Sequence, residues 1–446
     1  MKEHLGPSIQ IDPTFSYYLN RTEDSIADEI ELAGYGVVRY FVTNEYQVNG
    51  RLVEAFRRRG IKVWAMTLGN GTYTTDHLPK EWPDWQMTLL KPVKDGFWRF
   101  SPFSYKYVKW KKEVLAGLVR RYPFDGLEIA EPYFPEWNGL SSGVYGDVGP
   151  LARLAFKTEY GVDMPDFRHV TSPIYYLNNK ERYRWWVQFR VDAVNRFLHE
   201  LVNGFGGVRD VRPDIRIATW SIAVQASGDP VELVREYQGV DAAAMITRVK
   251  PDVHFIQTHW PDWMRGWLKP DYIKAYQPFA EQIRAVHRDI PLGVQADIGS
   301  IRKIRRSLEW VDKFAAAAQS CGYATWTAYE YHLGKYMYDE KPVPLKAVRT
   351  DRQAVQLSFS KRIDPESASD ERNYEASADG RRLSCAIGVA EVDGNRAVLH
   401  SDDFPAGGFR LYVRGVKDTP SLWLVKDGKV NEVPSGAFVT VPAWNE

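Results

Sequence analysis

The chain has 446 residues, more than one hydrophobic core usually serves, so two domains are the starting expectation. Its 58 Lys and Arg against 57 Asp and Glu leave no field that would recruit nucleic acid or an anionic membrane surface, and two cysteines are too few for a thiolate metal site. Aromatic residues make up 14% of the chain, with 16 Trp and 25 Tyr, and such rings offer the apolar faces on which sugars stack, although a large core buries Trp as well.

The N-terminal Met-Lys-Glu-His-Leu-Gly-Pro lacks the apolar core of a signal peptide, so the chain reads as cytoplasmic as given, or secreted if a leader has been removed. No run approaches the length of a membrane span. From residue 8 to about 335, short β-branched or apolar runs alternate with stretches of helical periodicity, the pattern of repeated βα units. The runs cover 9–12, 37–43, 61–68, 126–131, 215–221, 253–258, 292–297 and 324–330, and the helical stretches include 25–33, 51–59, 107–121, 185–203, 272–288 and 308–320. Eight strands in this alternation predict a (β/α)₈ TIM barrel over residues 1–349. The long connections 69–104 and 132–184 follow strands and therefore fall on the C-terminal face, where barrel enzymes build their sites. No glycine-rich phosphate loop opens a helix, so no nucleotide cofactor is indicated, and none of any other kind is required.

Near residue 350 helical periodicity gives way to short alternating runs at 354–359, 382–387, 397–400, 409–413 and 422–425, with turn signals at 378–380, 392–394 and 426–428. This predicts an all-β sandwich over 350–446, with the boundary at 346–353. Cys321 and Cys385 then lie in different domains, which argues against a disulfide. The stretches 355–368, Asn373-Tyr374 and 399–418 resemble the bacterial Ig-like modules appended to extracellular and polysaccharide-acting proteins. The resemblance implies an Ig-like fold; it departs after Lys417-Asp418, where Thr-Pro-Ser replaces a Gly-Asn turn. A structural brace is the favoured role, ahead of sugar binding.

The chemistry is expected at strand ends. The fourth strand reads Phe124-Asp-Gly-Leu-Glu128-Ile-Ala-Glu131-Pro132, and two carboxylates three residues apart are costly there without a partner or a task. Its end resembles the Asn-Glu-Pro of the large retaining clan of barrel glycoside hydrolases, whose acid/base Glu matches Glu131; Ala130 stands where that clan has Asn. Its beginning resembles the chitinase-type Asp-Gly-x-Asp-x-Asp-x-Glu strand, but Ala130 and Pro132 replace the last two acids, which disfavours substrate-assisted chemistry. The implied activity is glycoside hydrolysis on an oligo- or polysaccharide, with Glu131 as general acid and a second carboxylate as nucleophile or base.

Two residues compete for that second role. Asp297 ends the seventh run, which carries the nucleophile in the retaining clan; Glu330 ends the eighth and is favoured by its neighbours Trp326, Tyr329, Tyr331 and His332, which read as a sugar-binding surround. Glu128 either tunes Glu131 or pairs with Arg39 in the barrel floor. The sixth run ends in Gln257-Thr-His259-Trp260-Pro-Asp262-Trp263, suited to hydroxyl recognition and ring stacking, and Tyr133, Trp137 and Trp220 join it as substrate-binding candidates. A metal centre of His254, His259 and Asp262 is the sharper alternative, but the two histidines lie five apart on a strand and so point to opposite faces. No metal is therefore expected. The predicted partner is a carbohydrate, with a non-catalytic sugar-binding barrel or a metal-dependent hydrolase as alternatives; the pattern carries no signal for oligomeric state.

Overall fold

In a computed structural model, residues 6–135, 137–426 and 428–444 are described. Eight strands, β1 (Pro7–Ile11), β2 (Val37–Phe41), β3 (Lys62–Leu68), β4 (Gly126–Ala130), β5 (Arg216–Ala223), β6 (Val253–Thr258), β7 (Leu292–Ala296) and β8 (Thr325–Ala328), close a barrel in the order β1-β8-β7-β6-β5-β4-β3-β2. β1 pairs in parallel with both β8 and β2, which completes the ring. Strands in such a barrel are covered on both faces, so they read as nearly continuous apolar runs; all five residues of β4 and of β7 are buried.

Around the ring lie α1 (Glu23–Leu32), α2 (Gly50–Arg58), α3 (Tyr105–Arg121), α4 (Pro150–Tyr160), α5 (Lys180–Asn203), α6 (Pro230–Gln238), α7 (Ala242–Val249), α8 (Gln277–Val286) and α9 (Leu308–Ser320). Thr22, Ser104 and Ser307 start α1, α3 and α9 by accepting a hydrogen bond from the backbone N–H three residues on. The helix expected over 272–288 begins instead as a 3₁₀ turn at Tyr272–Tyr276, because Pro278 admits a helix only within its first turn. None of the helices among the described residues is long and apolar enough to cross a membrane.

The barrel interior holds a charged pair. Arg39 and Glu128 form a fully buried salt bridge; Trp220 Nε1 donates to Glu128 Oε2 at 2.7 Å, and the Arg39 guanidinium lies 4.0 Å from the centre of the Phe255 ring. Trp64 and Phe255 close this layer by lying over Gly126 and Gly293, where a Cβ would come within 2.3 Å of either ring. Glu128, Arg39 and Trp220 therefore belong to the barrel floor. Strand alternation turns Glu128 inward three residues before Glu131, and of its two expected roles the structure shows the pairing with Arg39.

The tail forms two four-stranded antiparallel sheets, β9 (Pro344–Arg349), β10 (Ala354–Phe359), β14 (Arg396–His400) and β13 (Gly388–Asp393) in one, and β12 (Arg381–Arg382), β11 (Tyr374–Ala378), β15 (Phe409–Val413) and β16 (Phe438–Val441) in the other. They enclose a core that includes Leu357, Phe359, Leu399 and Leu411. β9 pairs with β10, so the sheets begin before the expected boundary at 346–353. The strand expected at 422–425 is absent: Pro420–Leu422 is a 3₁₀ turn, and Trp423 is buried against Tyr338. Trp423 and Val425 of this stretch pack on the barrel core instead of joining a ladder. The expected turn at 426–428 includes Asp427, which lies outside the described residues. Both cysteines are free thiols.

The sheets pack on the barrel. Arg362 alone donates to the carbonyls of Tyr17 (2.6 Å), Leu19 (2.8 Å) and Asn20 (3.3 Å) in the loop after β1, and Arg396 pairs with Asp28 of α1 at 3.3 Å. Buried backbone carbonyls need such partners, so the tail supplies hydrogen bonds that the loop cannot make for itself.

Candidate active site

The mouth of the barrel holds a cavity of about 450 Å³, lined among others by Glu131, Gln257, His259, Asp297 and Tyr329. Each of these sits at or just beyond the end of a strand: Glu131 after β4, Gln257 and His259 at β6, Asp297 after β7 and Tyr329 after β8. The connection after β3 forms one wall through Tyr73, Phe97 and Arg99, and the short helix Trp260–Trp263 after β6 forms another. β3 and β6 are three strands apart in a ring of eight, so the two walls face each other across the mouth.

Glu131 has φ of 50°, a left-handed conformation that a non-glycine residue holds at a cost of about 1–3 kcal/mol and only when its surroundings impose it. Burial pushes its carboxyl above the ordinary range, while a hydrogen bond from Gln257 and the nearby Arg99 charge pull it down. The Tyr133 hydroxyl donates to Gln257 Oε1 at 3.3 Å, which fixes the amide that faces Glu131. Arg99 is in turn clamped by Asp95 at 2.7 Å.

Asp297 is also raised by burial, against backbone N–H donors from Gly299 (2.8 Å) and Ser300 (2.9 Å) on Oδ1 and the Arg306 charge. Burial thus works against the charged form of both carboxyls, and the two differ in the donors and cations that oppose it. The Tyr329 hydroxyl feels both carboxyls, and its own pKa is raised well above normal by burial and by those negative neighbours.

Glu330 is not among the residues lining this cavity. Its Oε2 accepts from the Asp12 N–H at 2.7 Å, its Oε1 accepts from the Tyr18 hydroxyl at 2.7 Å, and His332 Nδ1 lies 3.2 Å away. Both oxygens are therefore committed to holding the loop after β1. Its expected aromatic surround disperses as well. Trp326 packs against Tyr35 and Phe314, Tyr331 against Tyr35 and Tyr336, and His332 among Phe15, Tyr17 and Tyr18; Tyr329 alone of that group reaches the cavity. Glu330 thus lies outside the cavity that Glu131 and Asp297 line.

His259 lines the cavity as a neutral imidazole, its pKa lowered to about 3 by burial, and its Nε2 has no partner within the protein. Trp137 and Trp260 stand edge-on to it at 6.1 Å, so Trp137 backs the imidazole while Trp260, 41% exposed, and Trp263 face the cavity. The metal alternative loses its members. His254 bonds Thr219 and Ser221, both at 2.8 Å, on the outer side of the strands, and Asp262 accepts from the Gln225 N–H and the Tyr276 hydroxyl while pairing with Arg265. Among the described residues, no group of three or more His, Cys, Asp and Glu side chains forms a candidate metal cluster.

Sequence reasoning located the loop at 69–104 but not its contributions Asn70, Tyr73, Asp95, Phe97 and Arg99, nor the roles of Gln257 and Gln295. The available signal was Gly69-Asn70-Gly71 directly after β3, an Asn between two glycines at the rim of a barrel.

No family model matches the chain, and no curated protein matches it in sequence. Solved structures do resemble it. The glycoside hydrolase domain of PgaB (BpsB) from Bordetella bronchiseptica superposes with a TM-score of 0.54 at 15% identity, over 73% of this chain and 94% of that one. The catalytic domain of a beta-amylase from Paenibacillus polymyxa gives 0.50 at 10% identity, covering 73% and 92%. A beta-galactosidase from Marinomonas ef1 gives 0.51 at 11% identity, with 73% of this chain covering 54% of that larger one. At these identities the likeness is one of fold, an eight-stranded parallel barrel.

Proposed function

We propose that the barrel hydrolyses a glycosidic bond in an oligo- or polysaccharide. The observation that carries this reading is a pair of enclosed carboxyl groups, Glu131 and Asp297, lining one cavity with different hydrogen-bond environments. Such a pair divides the work of cleaving an acetal. Glu131 protonates the departing oxygen, and Asp297 attacks the anomeric carbon or activates a water toward it. The configuration of the first-formed sugar tells which: retention for attack, inversion for activated water. Tyr329, His259 and Gln295 offer polar groups to sugar hydroxyls, and the exposed faces of Tyr73 and Trp260 offer stacking surfaces.

The test is release of sugar from a panel of aryl glycosides and oligosaccharides by wild type and Glu131→Gln. The reading requires turnover by wild type and a loss of about a hundredfold or more in the variant, the usual range for removing a general acid. Binding of sugars without turnover by either protein would replace it with a non-catalytic carbohydrate-binding barrel.

A further inference from the structure

Glu131 stands in a left-handed conformation immediately before a proline, a place where the backbone has little freedom and no intrinsic reason to adopt that shape. What imposes it comes from the end of β3. The Gly69 N–H donates to the Ala130 carbonyl at 2.6 Å, and the Asn70 N–H donates to the Glu131 carbonyl at 3.3 Å. The Asn70 side-chain Nδ2 then donates to the Pro132 carbonyl and, at 3.4 Å, to the Tyr133 carbonyl. Two adjacent residues thus hold four successive carbonyls, 130 to 133, around the carboxyl-bearing turn. Carbonyl oxygens only accept, so the amide of Asn70 has one usable orientation, NH₂ toward the turn.

The clamp is itself anchored. The buried Tyr107 hydroxyl of α3 donates to the Gly69 carbonyl, and the Phe100 N–H donates to the Asn70 carbonyl at 2.7 Å, so the returning end of the 69–104 connection holds Asn70 from the other side. The approach is close enough to require glycine at 69, where a Cβ would lie 2.8 Å from Pro132 Cα.

We infer that Asn70 is the positioning residue for Glu131: its amide fixes the strained turn that turns the Glu131 carboxyl into the cavity. The inference rests on the reading of Glu131 as general acid. Asn70 performs from the neighbouring strand a service that Ala130, with no polar side chain, cannot perform from its own. It acts through Glu131 and needs no contact with substrate.

Asn70→Asp keeps the size of the side chain but sets an acceptor against two carbonyls; Asn70→Ala removes the donors without adding charge and serves if the Asp variant does not fold. A displaced acid costs turnover more than binding, so kcat is expected to fall about a hundredfold with KM nearly unchanged. A crystal structure of either variant should show residue 131 leaving the left-handed region. A folded variant with wild-type kcat, or one whose residue 131 keeps φ near 50°, overturns the inference. Glu131→Gln in the same assay separates the two levels: full activity there removes the general-acid reading, while the crystal structures still judge the clamp.

Discussion

At the scale of residues, the site turns on how burial and the groups opposing it act on two carboxyls. Gln257 and Arg99 are the groups that hold Glu131 down against burial, and Asp95 adds a negative charge on the far side of Arg99. Replacing Arg99 with Met removes a positive charge and leaves Asp95 uncompensated, and both changes favour the protonated form of Glu131. The alkaline limb of the pH–rate profile, which reports the acid that must keep its proton, is therefore expected to move to higher pH; an unmoved or lowered limb would break the link between Arg99 and Glu131. The same scale shows why Glu330 misleads in the sequence. Asp297 and Glu330 both follow barrel strands, and what sets them apart is that Glu330 is held by the distant Asp12 and Tyr18, whereas the backbone N–H donors on Asp297 come from its own turn, Gly299 and Ser300.

At the scale of elements, the connection after β3 is held to its neighbours by a buried trio. Glu45 follows β2, Lys111 lies on α3 and His77 on the connection itself; Lys111 Nζ is 2.5 Å and His77 Nε2 3.4 Å from the Glu45 carboxylate. Burial works to raise the Glu45 pKa, but Lys111 and His77 outweigh it and bring it to about 2. Its stabilising contribution is thus fully present above the ordinary carboxylate pKa and is lost only as pH falls toward 2. Lys111→Met leaves that buried carboxylate with His77 alone beside it and should cost about 3 kcal/mol, measurable by denaturant unfolding at pH 7, with the loss shrinking in acid. A neutral result would mean that the pair is dispensable. The walls make a separate prediction: Trp260→Ala and Tyr73→Ala should each raise KM for oligosaccharides roughly tenfold and spare small aryl glycosides.

The strands were legible because a strand buried on both faces is an apolar run, and each run from 37 to 330 lies over a strand or ends within a few residues of it. The helices α4, α6 and α7 were not: α4 belongs to the long connection after β4, and α6 and α7 are two brief helices parted only by residues 239–241 where a single longer helix is the simpler pattern. Asn70 was hidden for another reason: Gly-Asn-Gly reads as a turn, and nothing local says that its amide grips a different strand.

At the scale of the molecule, the two antiparallel sheets dock on the barrel through the loop after β1 and α1, and they are expected to brace it. Arg362 holds the loop after β1; that loop's Tyr18 and Asp12 hold Glu330; and Glu330 follows Tyr329 just beyond β8. Arg362→Ala would leave the buried Tyr17 carbonyl without this donor, at a cost of about 1–3 kcal/mol. Calorimetry should show the barrel and sheets of the wild type melting in one transition, and the variant melting earlier. Two separate transitions in the wild type would mean that the sheets do not brace the barrel.

The assignment of the two carboxyls is tested most directly by comparing Asp297→Asn and Glu330→Gln on one substrate that the wild type cleaves. Asp297→Asn is predicted to lose about a thousandfold in kcat/KM while remaining folded, with Glu330→Gln losing stability but keeping most of its turnover per folded molecule. The reverse pattern, an active Asp297→Asn and a folded but inert Glu330→Gln, would contradict the account.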